Sequence, residues 1–336
     1  MASVGIIGSG AWGTALAILL SNDGNATTLW EHRPERATTM LQQRENTLFL
    51  PGFPFPPALR VTSDIKEAVR GKDVLLLVTP SQRMRENLCY LAPYLDKETL
   101  LVNASKGVEI KSLKRMTEVI AEELPTASSR IAALSGPNIA QEVAGGLPTA
   151  AVVASSEQEV AVRVRTLLST SRFRVYTSED VVGVELGGAL KNIIAIGAGI
   201  NTGLGYGENA KAAFITRGLA ELARLGIAAG AHPLTFAGLA GIGDLIATCA
   251  SPLSRNQQLG RRLAAGEKLE QVLASTHTVA EGIFTTKAAL QLAARYDVEM
   301  PITYQLSLVL FEGLDPHKAV PELMMRDPKD EMEGII

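Results

Sequence analysis

The sequence predicts a largely parallel, doubly wound α/β sheet over residues 1–179, followed by an all-helical domain over residues 180–336. Three observations carry this. Short apolar strand-like runs alternate with helical periodicity as far as Tyr176, the pattern of a parallel sheet wound with helices. Strand signals then cease, and apolar residues recur only at helical spacing. A glycine-rich turn, Gly8-Ser9-Gly10-Ala11-Trp12-Gly13, joins the first strand to a helix, which is the opening of a βαβ unit. A chain of 336 residues also exceeds what one core usually fills.

The first strand is Ser3–Ile7, its helix runs through Leu20, and the second strand is Ala26–Trp30. In such a unit Gly8 allows the tight turn, Gly10 lets backbone approach a pyrophosphate, and Gly13 lets helix and strand pack closely. The helix N-terminus, with Ala11 and Trp12 on it, adds free N–H groups and partial positive charge for phosphates. The turn therefore reads as a Rossmann-type dinucleotide site. Glu31 ends the second strand, about 20 residues beyond the glycines, where an acid accepts the ribose hydroxyls of NAD. His32 and Arg33 follow at once and suit the 2′-phosphate of NADP. The acid repels that phosphate and the guanidinium attracts it, so NAD and NADP both stay open. A solvated charged loop is the plain alternative for Arg33.

Pro51–Pro57 is too proline-rich for helix or central strand and is expected as an ordered surface excursion. Strands resume at Leu59–Thr62, Val74–Val78, Leu100–Asn103, Ile131–Leu134, Ala150–Ala154 and Phe173–Tyr176, with helices over Gln82–Leu91, Leu113–Glu123 and Glu157–Leu168. Ligands of such sheets bind beyond the carboxyl ends of the strands. Three loops leave those ends. Val78-Thr79-Pro80 suits a wall for the nicotinamide, and Asn103–Gly107 carries Lys106. Ser135-Gly136-Pro137-Asn138 places Pro137 at an expected first helical position, where N–H groups meet an oxyanion. Lys106 taken alone is equally a surface lysine.

The second half opens on a helix expected from Thr177, with Asp180 three residues on as a capping box. Val184, Gly187, Gly188, Lys191 and Ala195 share one face of it. Each interior glycine costs roughly 1 kcal/mol against alanine, so something is expected to approach that face closely. Lys191 and Asn192 stand among small apolar residues; a core helix whose lysine reaches water is the plain alternative. Further helices are expected over Ala210–Leu225, Asp244–Ala250, Asn256–Ala265, Thr285–Tyr296 and Tyr304–Glu312, and Arg326 to Ile336 as a polar tail. Gly241-Ile242-Gly243-Asp244-Leu245 puts an acid at a helix start, where the dipole favours its charge. Thr248 lies one turn on, on the same face. Asp244 as an ordinary N-cap is the competing account. Ser254-Arg255-Asn256 opens the next helix with a hydroxyl, a guanidinium and an amide beside free N–H groups, a phosphate cradle or simply a capped surface helix.

Bulk properties exclude several classes. Charged residues make up 20% and hydrophobic ones 46%, an ordinary soluble composition. The net charge of −3 argues against nucleic-acid or anionic-membrane binding. The apolar stretch from Val181 to Ile200 is broken by Glu185, Lys191, Asn192 and glycines, a poor membrane span. Cys89 and Cys249 lack metal-ligand spacing, so no metal is expected; buried free thiols in a reducing compartment are. No basic leader precedes the first strand, and the expected location is cytoplasmic.

Taken together, the Gly8–Gly13 turn, Ser105-Lys106-Gly107, Ser135-Gly136-Pro137, Gly188-Ala189-Leu190-Lys191-Asn192, Gly203-Leu204-Gly205-Tyr206-Gly207, Gly241–Leu245 and Ser254-Arg255-Asn256 resemble soluble bacterial NAD(P)-dependent glycerol-3-phosphate dehydrogenases over essentially the full length. The resemblance implies interconversion of sn-glycerol 3-phosphate and dihydroxyacetone phosphate, supplying glycerophospholipid synthesis. It implies Lys191 as proton donor and acceptor. Lys106, Gly136, Asn138, Asp244, Ser254, Arg255 and Asn256 are implied substrate contacts, joined by Thr248 beside Asp244. Ala11, Trp12, His32, Arg33, Lys106, Ala140, Arg255, Val279 and Glu281 are implied cofactor contacts, with Lys106 and Arg255 touching both ligands. A homodimer is also implied. Two residues depart from the family pattern: Ala11, where many relatives carry serine or asparagine, and Glu31, beside His32-Arg33. Lys191 must give and take a proton near working pH. Burial and a nearby Lys106 would lower its pKa, and Asp244 would raise it. The rival readings are a hydroxy-acid dehydrogenase of the same plan and a dinucleotide-sensing module without catalysis.

Overall fold

Val4 and Ile6 face one core of the first half of the chain and Ile7 faces another, because side chains alternate along a strand. Leu76 and Leu77 divide in the same way. A sheet buried on both faces follows. The computed structural model describes residues 1–275, 280–328, 330–331 and 333–335. Two units separate: Met1–Lys106 with Arg115–Val181, and Gly107–Lys114 with Val182–Ile336.

The first unit holds β1 (Ser3–Ile7), β2 (Ala26–Trp30), β3 (Glu45–Asn46), β4 (Leu50–Pro54), β5 (Arg60–Thr62), β6 (Val74–Leu77), β7 (Leu100–Asn103), β8 (Ile131–Ser135), β9 (Thr149–Ala154) and β10 (Phe173–Ser178). Its main sheet runs β10-β9-β8-β7-β6-β1-β2-β5. All its pairs are parallel except β8 with β9. The order reverses at β1, which lies between β2 and β6, and such a switch point is where doubly wound sheets bind ligands. Helices α1 (Ala11–Asn22), α2 (Pro34–Gln43), α3 (Ile65–Val69), α4 (Met84–Leu91), α5 (Met116–Glu123), α6 (Ala140–Ala144) and α7 (Gln158–Leu168) connect the strands.

Four expectations are corrected. The proline-rich stretch is not merely an excursion: Leu50–Pro54 forms β4, paired antiparallel with β3, a two-stranded edge that needs few N–H donors. Pro137 does not open a helix. Gly136 has φ +134°, which breaks helical continuation, and α6 starts only at Ala140. Thr177 is a strand residue paired with Val153, and the Ser178 hydroxyl takes the Asp180 N–H at 3.1 Å, so the turn into the next helix is held one residue later. Leu113 adopts φ +60°, and α5 accordingly begins at Met116. Of the two thiols, Cys249 is buried, but Cys89 lies on the outer side of α4 and is exposed.

The second unit is helical: α8 (Val181–Gly203), α9 (Glu208–Ala228), α10 (Asp244–Ala250), α11 (Arg255–Ala264), α12 (Leu269–Ala274), α13 (Glu281–Tyr296), α14 (Pro301–Phe311) and α15 (Pro316–Met324). Residues Gly183 to Asn201 of α8 are all buried, so this helix is the axis of the unit rather than an amphipathic surface element. It is long and apolar enough to cross a membrane, yet 89% of that stretch is buried within the protein. The close neighbours anticipated from its glycines are backbone. A Cβ on Gly187 would stand 2.7 Å from the Ala240 carbonyl, one on Gly199 2.1 Å from that of Gln257, and one on Gly260 1.9 Å from that of Ile196. Residues 107–114 join this unit through Val108, Ile110 and Leu113.

Candidate active site

The turn after β1 is shaped by its three glycines in different ways. Gly8 sits at φ +119°, and a Cβ there would lie 2.6 Å from the Val78 carbonyl, just past β6. A Cβ on Gly13 would lie 1.9 Å from the Gly8 carbonyl, so that position lets α1 close on its own turn. Gly10 has nothing within 4 Å of where a Cβ would be. It caps α1 in extended conformation without a side-chain bond. Open space before free N–H groups is what a pyrophosphate requires, and these residues fit a dinucleotide. Ala11 and Trp12 begin α1, Trp12 packs on Phe173 with ring centroids 6.4 Å apart, and Ala140 packs into the core that α1 also faces.

Two bracing residues escaped the sequence reading. Asn46 Nδ2 donates to the Ser9 carbonyl and to Thr14 Oγ1, both at 2.8 Å, which ties the short hairpin to the turn. Arg36 forms an ion pair with Glu31 at 3.2 Å. Nothing local marks either one, since both partners lie across a loop or a helical turn. Glu31 itself is buried, while His32 and Arg33 are exposed.

Farther along the carboxyl edge, Ser105 Oγ donates to the Thr79 carbonyl at 2.6 Å, and its N–H meets Asn103 Oδ1 at 3.0 Å. This fixes the loop that carries Lys106, whose Nζ donates to the Gly136 carbonyl at 2.9 Å. The strained Gly136 and the cation are thus brought together. A Cβ on Gly136 would lie 3.0 Å from Ala151 Cα. Asn138 follows, its Oδ1 buried and without a protein partner.

In the helical unit, Lys191 and Asp244 form a buried pair, Nζ to Oδ1 2.7 Å, with side chains 7% and 2% exposed. Lys191 also donates to the Thr248 hydroxyl, and that hydroxyl meets Asp244 Oδ1 at 3.3 Å. The ammonium has three donors, and these two contacts aim it. Asp244 is not an N-cap, because the chain already turns helically over Leu239–Gly243; its carboxylate is the lysine's partner. Cys249 lies near this pair, and burial pushes its thiol up to about 12, so it stays protonated and unreactive.

Asn192, next to Lys191, accepts from Asn256 Nδ2 at 2.9 Å, and Asn256 Oδ1 accepts the Gly282 N–H at 3.1 Å. The Asn256 amide therefore fastens α8, α11 and α13 together, leaving its backbone N–H at the start of α11. Ser254 caps that helix, accepting the Gln257 N–H at 3.3 Å. Arg255 stands on the first turn with an exposed side chain. Surrounding protein lowers its pKa and Glu281 on α13 raises it, but a guanidinium stays charged throughout. Val279 lies outside the described residues.

A dinucleotide cradle at a switch point, and a buried lysine–aspartate pair beside a capped helix start bearing arginine, together define a nicotinamide-dependent dehydrogenase of small anionic substrates. Comparison with known proteins agrees. The models for NAD-dependent glycerol-3-phosphate dehydrogenase match at residues 3–161 for the N-terminus and 180–321 for the C-terminus. A glycerol-3-phosphate dehydrogenase [NAD(P)+] of Geobacter metallireducens is 52% identical over 329 residues, covering 98% of each chain. One from Streptomyces griseus is 48% identical over 326 residues, 97% of each. The solved glycerol-3-phosphate dehydrogenase of Coxiella burnetii superposes with a TM-score of 0.92 at 38% identity, over 97% of this chain and 99% of that one. The chain belongs to the NAD(P)-dependent glycerol-3-phosphate dehydrogenase family.

Proposed function

We propose that Lys191 moves the proton when this enzyme interconverts sn-glycerol 3-phosphate and dihydroxyacetone phosphate with NAD(P). The observation that supports it best is the 2.7 Å Lys191–Asp244 pair, built into a helix with almost no exposed surface. When bound, NAD(P) supplies the acceptor or donor for the hydride at C2. The protein's own work is then to hold the C2 oxygen and handle its proton. Asp244 and Thr248 fix the amine's direction, leaving one N–H to point at that oxygen. In oxidation the amine takes the hydroxyl proton; in reduction the ammonium returns one to the forming alkoxide.

Arg255, the Ser254 hydroxyl and the first N–H groups of α11 are the proposed phosphate ligands, because a guanidinium beside a helix start binds such a group bidentately. Asn256 contributes through its backbone N–H and by bracing Asn192. Lys106, Gly136 and Asn138 are proposed as further polar contacts to the anionic ligands. Glu281 acts on the cofactor side through Arg255. The physiological role we infer is supply of glycerol 3-phosphate for glycerophospholipid synthesis in the cytoplasm, by a homodimer. Light scattering of the purified protein tests the dimer.

The deciding assay is the initial rate of dihydroxyacetone phosphate reduction, followed at the nicotinamide absorbance with NADH and with NADPH. 3-Hydroxyisobutyrate oxidation serves as the contrast. Turnover of the triose phosphate alone is expected. Turnover of the hydroxy acid instead would overturn the substrate assignment.

A further inference from the structure

Glu31 ends β2 with a side chain only 1% exposed, and four protein donors surround it. The Arg33 N–H reaches Oε1 at 3.0 Å, and His32 Nδ1 reaches the same oxygen at 3.2 Å. Arg36 Nη1 lies 3.2 Å from Oε2, to which the Ser9 hydroxyl also donates. An ionised carboxylate offers about four lone-pair positions, and these four donors fill them. None remains for the ribose hydroxyls that an acid at this position ordinarily accepts.

The bonding continues outward. Arg33 Nε donates to His32 Nε2 at 3.2 Å. A ring nitrogen that accepts carries no proton, so the two bonds assign His32 as the neutral Nδ1–H tautomer. Arg33 is exposed and, among the described residues, its two Nη groups have no partner, which leaves a planar fork suited to a phosphate. Arg36 supplies the charge that balances Glu31, and it is itself held over the Phe49 ring at 4.5 Å.

We propose that Glu31 is a positioning residue for NADPH. Neutralised by Arg36 and withdrawn from the ribose, it holds His32, and through His32 presents the Arg33 fork to the adenosine 2′-phosphate. This rests on the dinucleotide reading of the Gly8–Gly13 turn and adds which adenosine it favours. The rival role, ribose acceptor, gives effects of opposite sign.

The test titrates the full-length protein calorimetrically with adenosine 2′,5′-bisphosphate and with 5′-AMP, and by nicotinamide fluorescence with NADPH and NADH. Glu31→Gln should weaken the bisphosphate and NADPH about tenfold, the worth of one charge-assisted hydrogen bond, while 5′-AMP and NADH change less than about twofold. The turnover number at saturating NADPH should hold. Weaker 5′-AMP with tighter bisphosphate, or equal loss for both, would overturn the proposal. His32→Ala, an exposed change that cannot be blamed on unfolding, must show the same selective loss; unaltered selectivity there overturns the relay even if Glu31→Gln fails to fold. If the unsubstituted protein bound neither fragment, the dinucleotide site would fall first, and this proposal with it.

Discussion

At the scale of single residues, Lys191 and Arg255 separate chemistry from binding. Lys191→Met removes the proton carrier while keeping an unbranched side chain, so turnover should fall by about 10²–10⁴, the range of general acid–base catalysis. Fluorescence titration of NADH and NADPH should be unaltered in the same variant; near-normal turnover would remove Lys191 from the role. Arg255→Ala deletes a charge-assisted contact from an exposed position. It should raise the KM for dihydroxyacetone phosphate about 10- to 100-fold without changing the melting curve, and an unchanged KM would exclude Arg255 as a phosphate ligand. Lys191, Asp244 and Arg255 were legible in the sequence because each stands beside a signal of its own: glycines, a helix start, a hydroxyl cap. Asn46 and Arg36 were not, because their importance comes from partners that only the fold brings near. Asn256 was read as a ligand from its helix-start position, yet its amide turned out to be spent on Asn192 and Gly282.

At the scale of elements, β1 with its turn and α1 shows how one motif divides its labour. Gly13→Ala would drive a Cβ to 1.9 Å from the Gly8 carbonyl, an overpacking that costs about 1–3 kcal/mol or more. Gly10→Ala meets no protein atom, and alanine at such a cap costs only ~1 kcal/mol. The pair should therefore dissociate in experiment. Gly13→Ala lowers the melting temperature, whereas Gly10→Ala leaves it nearly unchanged but weakens NADH and NADPH alike, about tenfold for one lost phosphate contact. Equal melting losses in both would mean that the turn's glycines serve only the fold. The strands were readable almost to the residue, because a sheet buried on both faces demands continuous apolar runs. Short connections were less so. The helix start expected at Pro137 fails on the left-handed Gly136, and the segment 107–114, which carries no periodicity of its own, is claimed by the helical unit through Val108 and its neighbours.

At the scale of the whole molecule, stability should depend on pH through a group that takes no part in the chemistry. Glu221 on α9 is buried and caps α14, accepting the N–H of Ile302 at 2.5 Å and the N–H and hydroxyl of Thr303 at 3.1 Å. Loss of water raises its carboxyl to about 7, and the three hydrogen bonds only partly offset this. In the unfolded chain the same group titrates at its ordinary value, about 4.3. Between those two values the folded state holds a proton that the unfolded state has released. The contribution is therefore fully present below the unfolded pKa and is lost as pH rises through about 7. Its size is on the order of 3 kcal/mol. Glu221→Gln, which cannot ionise, should lose this dependence: its stability relative to the parent should improve from pH 5 to pH 8 by that order. The probe matters, because a chain of two units need not unfold in one step. Trp12 and Trp30, the two tryptophans, both lie in the first unit, so indole fluorescence follows the sheet. Circular dichroism of the helices is the signal that follows α9 and α14. A parent–variant difference that stays constant from pH 5 to pH 8 in the helical signal would show that Glu221 keeps its charge in the fold, with the α14 N–H groups outweighing the loss of water.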